Sequence, residues 1–289
     1  MRLAVLGSGS GGNAIVVQSG GAGLLVDAGF SCRRIRHELG GLGTDAPELG
    51  AILLTHEHQD HVRGVPQLVK RCALPVHATA GTLAGLALPE NATPHVVRSG
   101  EPYEAAGFLV EAFPLPHDAR EPVGYVIEDR QGHRLGVVHD LGSRTRLAWG
   151  RLHDLDALVI ETNHDLKKLR DGPYPWHLKQ RVASRHGHLS NHDAALGVEE
   201  LLSERLRHVV LYHLSQTNNS PALAFQAVAE RLDVCGSEAE IVLTRQDEAT
   251  PWIELCSSPT ARRPPEPSPA TWEVEAPVDG QLTLALSFS

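Results

Sequence analysis

The segment Thr55-His56-Glu57-His58-Gln59-Asp60-His61 places four metal-binding side chains, His56, His58, Asp60 and His61, within six positions. At this composition an H-x-H-x-D-H string arises by chance about 0.003 times, so the spacing signals a site rather than a solvated loop. Neutral imidazoles and carboxylates suit Zn²⁺ or Mn²⁺, and alternate side chains of a strand-to-helix loop can address two neighbouring ions. Two ions about 3.5 to 4 Å apart can share an attacking hydroxide and offset charge on the leaving oxygen. Such a pair needs more donors than one loop holds. His117 in Pro114-Leu115-Pro116-His117-Asp118, Asp140 in Val138-His139-Asp140-Leu141-Gly142 and His213 in Leu211-Tyr212-His213-Leu214-Ser215 are available at the ends of apolar runs.

Those donors must be delivered by the elements before them. Short β-rich runs open the chain: Arg2 to Leu6, Ala14 to Gln18 and Gly23 to Asp27, joined by glycine turns. A helix near Cys32 to Leu39 leads to a strand from Ala51 to Thr55, and a helix from Gly64 to Arg71 follows the histidine loop. Further strands are predicted around Pro75 to His77, Phe108 to Phe113, Val123 to Glu128 and Arg134 to His139. The second half adds strands Ala157 to Glu161, His208 to His213 and Glu240 to Leu243, with helices near Leu178 to Arg185, Asp193 to Leu202 and Pro221 to Leu232. Two strand-rich halves with helices between them imply sheet packed on sheet with helices outside. From Ser257 prolines accumulate, marking a linker or tail over 257–289, whose alternating end, Gln281 to Phe288, could add an edge strand.

Bulk properties narrow the partners. Hydrophobic residues at 42% and charged residues at 21% fit a globular protein and exclude wholesale disorder. The net charge of −9 argues against general adsorption to nucleic acid, yet Lys167, Lys168, Arg170, Lys179, Arg181 and Arg185, opposed nearby only by Asp165 and Asp171, are a candidate local basic track. A solvated helix face is the plainer account of that run. Cys32, Cys72, Cys235 and Cys256 lie far apart with no C-x-x-C pair, which suits small buried residues in a reduced cytoplasm. No signal peptide or membrane-length apolar run is visible.

One motif misleads. Gly7, Gly9 and Gly12 match G-x-G-x-x-G, with Asp27 placed as a ribose-binding acid would be. A dinucleotide site needs a helix to start at those glycines, and Ala14 to Gln18 is β-rich, so no nucleotide cofactor is expected. The glycines read as a tight strand connection passing near the metals.

Taken in order, Asp27 in Leu-Leu-Val-Asp-Ala-Gly, the His56 to His61 loop, His117, Asp140 and His213 resemble the five motifs of the metallo-β-lactamase superfamily. The resemblance spans the chain to about residue 256. It implies an α/β protein, an αββα sandwich of two mixed β-sheets with flanking helices, with catalytic residues 1–256. It further implies His56, His58 and His117 on one ion, Asp60, His61 and His213 on the other, Asp140 bridging, and Asp27 supporting the loops. Histidine at position 58, where diiron flavoproteins of this fold carry glutamate, points to hydrolysis.

Glu161-Thr-Asn-His-Asp165, Tyr174-Pro-Trp176, Gly187-His-Leu-Ser-Asn191 and His213-Leu-Ser-Gln-Thr-Asn-Asn219 resemble the YycJ or WalJ group. That likeness implies a phosphodiesterase, a 5′-to-3′ DNA exonuclease, without the inserted β-CASP domain of ribonuclease J. RNA remains a possible substrate. Ser190 can cap a helix beginning near Asn191, and a helix N-terminus beside His188 makes an anion pocket. His188 is expected to orient the scissile phosphate or protonate the leaving oxygen, with Ser190 and Asn191 in support, making it a catalytic residue beside Asp60 and Asp140. His164 and Asn163 either touch substrate or brace a ligand, and Asn218 and Asn219 fix the loop after His213. Two other readings compete: a small-molecule hydrolase, such as a cyclic phosphodiesterase, lactonase or thioesterase, and a noncatalytic regulatory module linked to cell-wall signalling.

Overall fold

Alternation along the strands decides the layering, and the structure, a computed structural model, describes it over residues 1–255. The first sheet takes β1 (Arg2–Gly7), β2 (Ala14–Ser19), β3 (Ala22–Val26), β4 (Ala51–Leu53), β5 (Val76–Ala78) and β6 (Pro94–Val96). The second takes β7 (Tyr103–Ala105), β8 (Phe108–Pro114), β9 (Val123–Glu128), β10 (Arg134–Val138), β11 (Ala157–Glu161), β12 (His208–Tyr212) and β13 (Glu240–Leu243), and β14 (Ile253–Glu254) returns to the first. Strand order is β14-β1-β2-β3-β4-β5-β6 in one seven-stranded sheet and β13-β12-β11-β10-β9-β8-β7 in the other. Both are mixed. In the first, β14 to β3 run antiparallel and β3 to β6 parallel; in the second, β10 to β13 run parallel and β7 to β10 antiparallel.

Odd positions of β1, Leu3 and Val5, join Ile15, Val17, Leu24 and Val26 in a core shared with Val110, Tyr125, Val137, Val159 and Val210 of the other sheet. The intervening Ala4, Leu6, Val16 and Leu25 face outward, onto Ile35, Leu39, Val65 and Leu68. Those come from α1 (Cys32–Gly41) and, beyond the one-turn α2 (Gln59–Val62), from α3 (Val65–Cys72). Short helices α4 (Ala80–Ala84) and α5 (Arg146–Trp149) precede α6 (Leu166–Asp171), α7 (Trp176–Val182), α8 (Asn191–Glu200) and α9 (Pro221–Cys235). Leu158, Ile160, Val209 and Leu211 pack beneath α5, α8 and α9 through Trp149, Val198, Val228 and Leu232. Period-2 burial on two faces of each sheet, with helical stripes outside, is the αββα sandwich.

Among the described residues, successive elements follow one another without an inserted domain, and no helix is long and apolar enough to cross a membrane. The long strands and helices fall where the sequence places them, with ends shifted by up to three residues. The strands β6, β7 and β14 and the helices α4, α5 and α6 had no counterpart in the sequence reading. They are two to six residues long, too short for a hydrophobic period to register. The segment 257–289 and its expected edge strand lie outside the described residues.

Candidate metal centre and active site

Each donor sits where a strand stops. Asp27 follows β3, Asp140 follows β10 by one residue and His213 follows β12. All three adopt left-handed backbone, φ +59°, +53° and +55°, a conformation that costs a non-glycine residue on the order of 1 to 2 kcal/mol. The surrounding sheets hold these bends, and the bends turn the side chains onto one edge of the sandwich. Between β4 and α2 the chain runs through His56 and His58, and α2 itself carries Asp60 and His61. Gly29 lets this loop approach: a Cβ there would lie 1.7 Å from the Asp60 carbonyl oxygen. The glycine connection after β1 does pass beside the site. Ser8 Oγ accepts the His213 amide at 2.7 Å, and Asn13 Nδ2 lies 3.2 Å from His61 Nε2. It enters β2 rather than a helix, which removes the dinucleotide reading.

The imidazoles of His56, His58, His61, His117, His188 and His213 form a continuous patch, neighbouring ring centroids standing 4.2 to 5.9 Å apart. Ligand atoms of His56, His58 and His117 lie within 4.8 Å of one another, as do those of Asp60, His61 and His213. Asp140 joins both sets, grouping with His56 and His61 on one side and with Glu161, His188 and His213 on the other. The donor set fits divalent metal ions on a further observation: His56 Nε2 is buried and has no hydrogen-bond partner in the protein. A buried polar atom without a partner costs free energy unless something binds it. Its other nitrogen, Nδ1, sits 3.0 Å from Thr55 Oγ1, which orients the ring.

Two buried carboxylates hold the candidate ligand rings. Asp27 accepts His61 Nδ1–H at 2.7 Å on one oxygen and the Thr55 amide at 2.9 Å on the other. That assignment of the tautomer leaves His61 Nε2 facing Asp140 and Asp60, at 2.9 and 3.4 Å. Glu161, at the end of β11, accepts His188 Nδ1–H at 2.6 Å and His213 Nδ1–H at 3.2 Å on Oε1. Its Oε2 accepts the Leu141 and Leu189 amides, both at 3.1 Å. Glu161 entered the sequence reading as the last residue of a strand and the first of the Glu161-Thr-Asn-His-Asp165 motif, with no role assigned to it. The available signal was an acid closing an otherwise wholly apolar run, Ala157 to Ile160.

Charge and burial shape the protonation states. Burial, with His61 close by, drives the His56 pKa well below the imidazole range, and burial lowers His117 too. His61 and His213 behave oppositely: burial opposes protonation, but Asp140 together with Asp27, Asp60 and Glu161 raises His61 strongly and His213 to about 9. Against the cost of burial, the neighbouring imidazoles hold Asp60 and Asp140 far below the usual carboxylate range, and His188 brings Glu161 to about 2. Cationic imidazoles interleaved with carboxylates are the charge pattern that dications replace on binding, releasing protons.

Expected substrate residues divide. The His188 side chain is 22% exposed at the rim of the patch with Nδ1 held by Glu161. Ser190 and Asn191 are buried and spend their polar atoms inside the protein. Ser190 Oγ caps α8 through the Asp193 amide at 3.1 Å, and Asn191 exchanges two 2.8 Å hydrogen bonds with Asn219. His164 is buried, its pKa lowered to about 4 by burial, and its carbonyl accepts the Asn191 amide. Asn163 Nδ2 donates to the His213 carbonyl at 3.0 Å, a bracing contact.

Comparison with known proteins gives first a class. A beta-lactamase superfamily domain matches residues 23–214. The fold agrees with the metallo-beta-lactamase fold protein YhfI from Bacillus subtilis, with a TM-score of 0.67 at 18% identity, covering 86% of this chain and 98% of that one. The chain belongs to the beta-lactamase superfamily, as a metal-dependent hydrolase with the metallo-β-lactamase fold. A narrower likeness follows. Over 247 residues the chain is 33% identical to the exodeoxyribonuclease YycJ of Bacillus anthracis, spanning 82% of this chain and 90% of the relative. Over 265 residues it is 32% identical to the exodeoxyribonuclease WalJ of Streptococcus pneumoniae, spanning 88% and 98%. It is a protein of the YycJ/WalJ type.

Proposed function

We propose that this chain is a dinuclear metal-dependent phosphodiesterase that degrades DNA from an end, as a 5′-to-3′ exonuclease. The observation that carries the reading is His188, a rim imidazole fixed by a buried carboxylate immediately beside the seven-residue ligand set. His56, His58 and His117 would hold one ion and Asp60, His61 and His213 the other, with Asp140 available to both. When bound, the ions lower the pKa of water and offset charge on phosphoryl oxygens. His188 keeps Nδ1 on Glu161 and offers Nε2–H, which binds a phosphoryl oxygen and passes its proton to the leaving oxygen. Glu161, which is outside the ligand set, keeps that ring oriented and favours its cationic form: burial works against protonation, but in the metal-free protein Glu161 and Asp140 raise the His188 pKa well above its ordinary value. The names of the two relatives support DNA as substrate. Catalysis resides in residues 1–256, and the protein works in the reduced cytoplasm, in keeping with the free thiols of Cys32, Cys72 and Cys235.

The test is degradation of end-labelled single- and double-stranded DNA and RNA with Mn²⁺ or Zn²⁺, comparing wild type with Asp60→Ala. Stepwise loss of DNA from the 5′ end, absent in the variant, is the expected result. Absence of cleavage with either metal would overturn the reading in favour of a small-molecule ester.

A further inference from the structure

Three tryptophans lie among the described residues, and two are built in. Trp149 is buried and donates Nε1–H to the Gly197 carbonyl at 3.1 Å. Trp252 donates to the Leu42 carbonyl at 3.0 Å under the Arg2 guanidinium, 4.1 Å from its ring centroid. Trp176 differs. It opens α7 directly after Pro175, is 71% exposed, and has no ring or hydrogen-bond partner among the described residues. An indole left in water forgoes a large burial gain, so its exposure suits a ligand that stacks on it.

Its surroundings say which ligand. Residues 165–187 carry Lys167, Lys168, Arg170, Lys179, Arg181 and Arg185 against Asp165 and Asp171, six cations to two anions, or +4 in a chain of −9. Asp171 takes up Lys167 and Arg170, at 3.1 and 3.0 Å. Among the described residues Lys168 and Lys179 bond only carbonyl oxygens, those of Asn219 and Arg170, with no carboxylate partner. The segment ends on the metal centre. Arg181 donates to Asp118 at 2.6 Å beside His117, and the Gly187 carbonyl lies 3.2 Å from His117 Nδ1. Gly142 permits this seat, since a Cβ there would stand 2.2 Å from the Ser184 carbonyl oxygen. His188 follows at once.

We propose that Trp176 is a stacking platform for an unpaired base of single-stranded nucleic acid, on a cationic track formed by residues 166–187 that leads to the metal centre. This rests on the nuclease reading and adds a base-binding subsite to it. Cations follow the phosphates while an aromatic face takes any base, so the contact is tolerant of sequence. From Trp176 to Arg181 the helix rises about 8 Å, roughly the length of two stacked nucleotides at about 3.4 Å each.

The experiment titrates the full chain with phosphorothioate-protected oligothymidylate, and with the same oligomer made abasic, following anisotropy and indole fluorescence. Wild type is expected to bind the base-bearing oligomer tighter than the abasic one, with quenching. Trp176→Ala should lose roughly 5- to 150-fold in affinity and the quenching, Trp176→Phe should restore most of the affinity, and the salt slope should not change. Equal affinity of Trp176→Ala and wild type would overturn the platform while leaving the nuclease reading intact. So would a fall in sedimentation coefficient for Trp176→Ala with DNA binding unaltered, which would make this face a contact between copies. A wild-type chain that neither binds nor cleaves any oligonucleotide would bring down both readings.

Discussion

Asp27 and Glu161 do the same job at corresponding places, one past the end of β3 in the first sheet and one at the end of β11 in the second, yet they serve different rings. Asp27 is wholly buried and orients His61, also wholly buried. Glu161 is equally buried but orients two rings, His213 within the ligand set and His188 at the solvent rim. The first sheet therefore ends in pure scaffolding for metal, whereas the second ends in scaffolding plus a group that can meet substrate. Under the proposed roles of His213 and His188, one carboxylate oxygen shared by the two imidazoles would couple ion binding to substrate handling.

That contrast breaks most sharply at Glu161. In Glu161→Gln, an amide NH₂ must face either the two imidazole N–H groups or the Leu141 and Leu189 amides, all of them donors. Turnover at saturating metal should fall about 10²-fold or more, through the lost orientation and charge of His188. Steady-state kinetics with metal titration reads this, and recovery of full turnover by added metal would make Glu161 a ligand holder like Asp27.

Asp27→Asn should act on metal alone. Its amide NH₂ opposes His61 Nδ1–H and pushes the ring to the tautomer whose Nε2 carries the proton and cannot ligate. Ion affinity should drop about 10- to 100-fold, with turnover restored once the site is saturated. Isothermal titration with Mn²⁺ checks it; unchanged affinity would remove Asp27 from the support role.

The smallest effect comes from histidines outside the site. His77 stacks on His95 at 4.5 Å and on Tyr103 at 5.4 Å, with no carboxylate ion pair among the described residues, so burial and then His95 lower its pKa from 6.5 to about 4. A histidine kept neutral on folding contributes stability that is complete above pH 6.5 and is lost as pH falls toward 4, where the unfolded chain binds the extra proton. The loss should be on the order of 1 to 3 kcal/mol. His77→Gln should flatten that part of the stability profile in urea melts at pH 4.5 and 7; an unchanged slope would contradict the assignment.

The comparison also shows what could be read from the sequence. The His56 to His61 loop declares itself because four donors crowd one turn, and His117, Asp140 and His213 become legible as an ordered set at strand ends. Layering was legible because two strand-rich halves carry helices between them, whereas the face taken by Leu3, Val5, Ile15 and Val17 as against Ala4, Leu6, Ala14 and Val16 was not, both sets being apolar and buried. The role of Glu161, seen only within a motif, was not legible, because a single acid closing an apolar strand has no local partner in sequence; its four donors come from residues 20 to 52 positions away. Ser190 and Asn191 were ambiguous for the opposite reason. A residue that can cap a helix can also bind an anion; the local cap of Ser190 on Asp193 was expected, and only tertiary context reveals the Asn219 contacts that occupy Asn191.

The account stands most directly on His188→Ala, assayed in one preparation for bound metal by mass spectrometry and for DNA degradation on a denaturing gel. It predicts two ions per chain, as in wild type, with cleavage slowed about 10²- to 10⁴-fold. Undiminished cleavage at full metal content would contradict it.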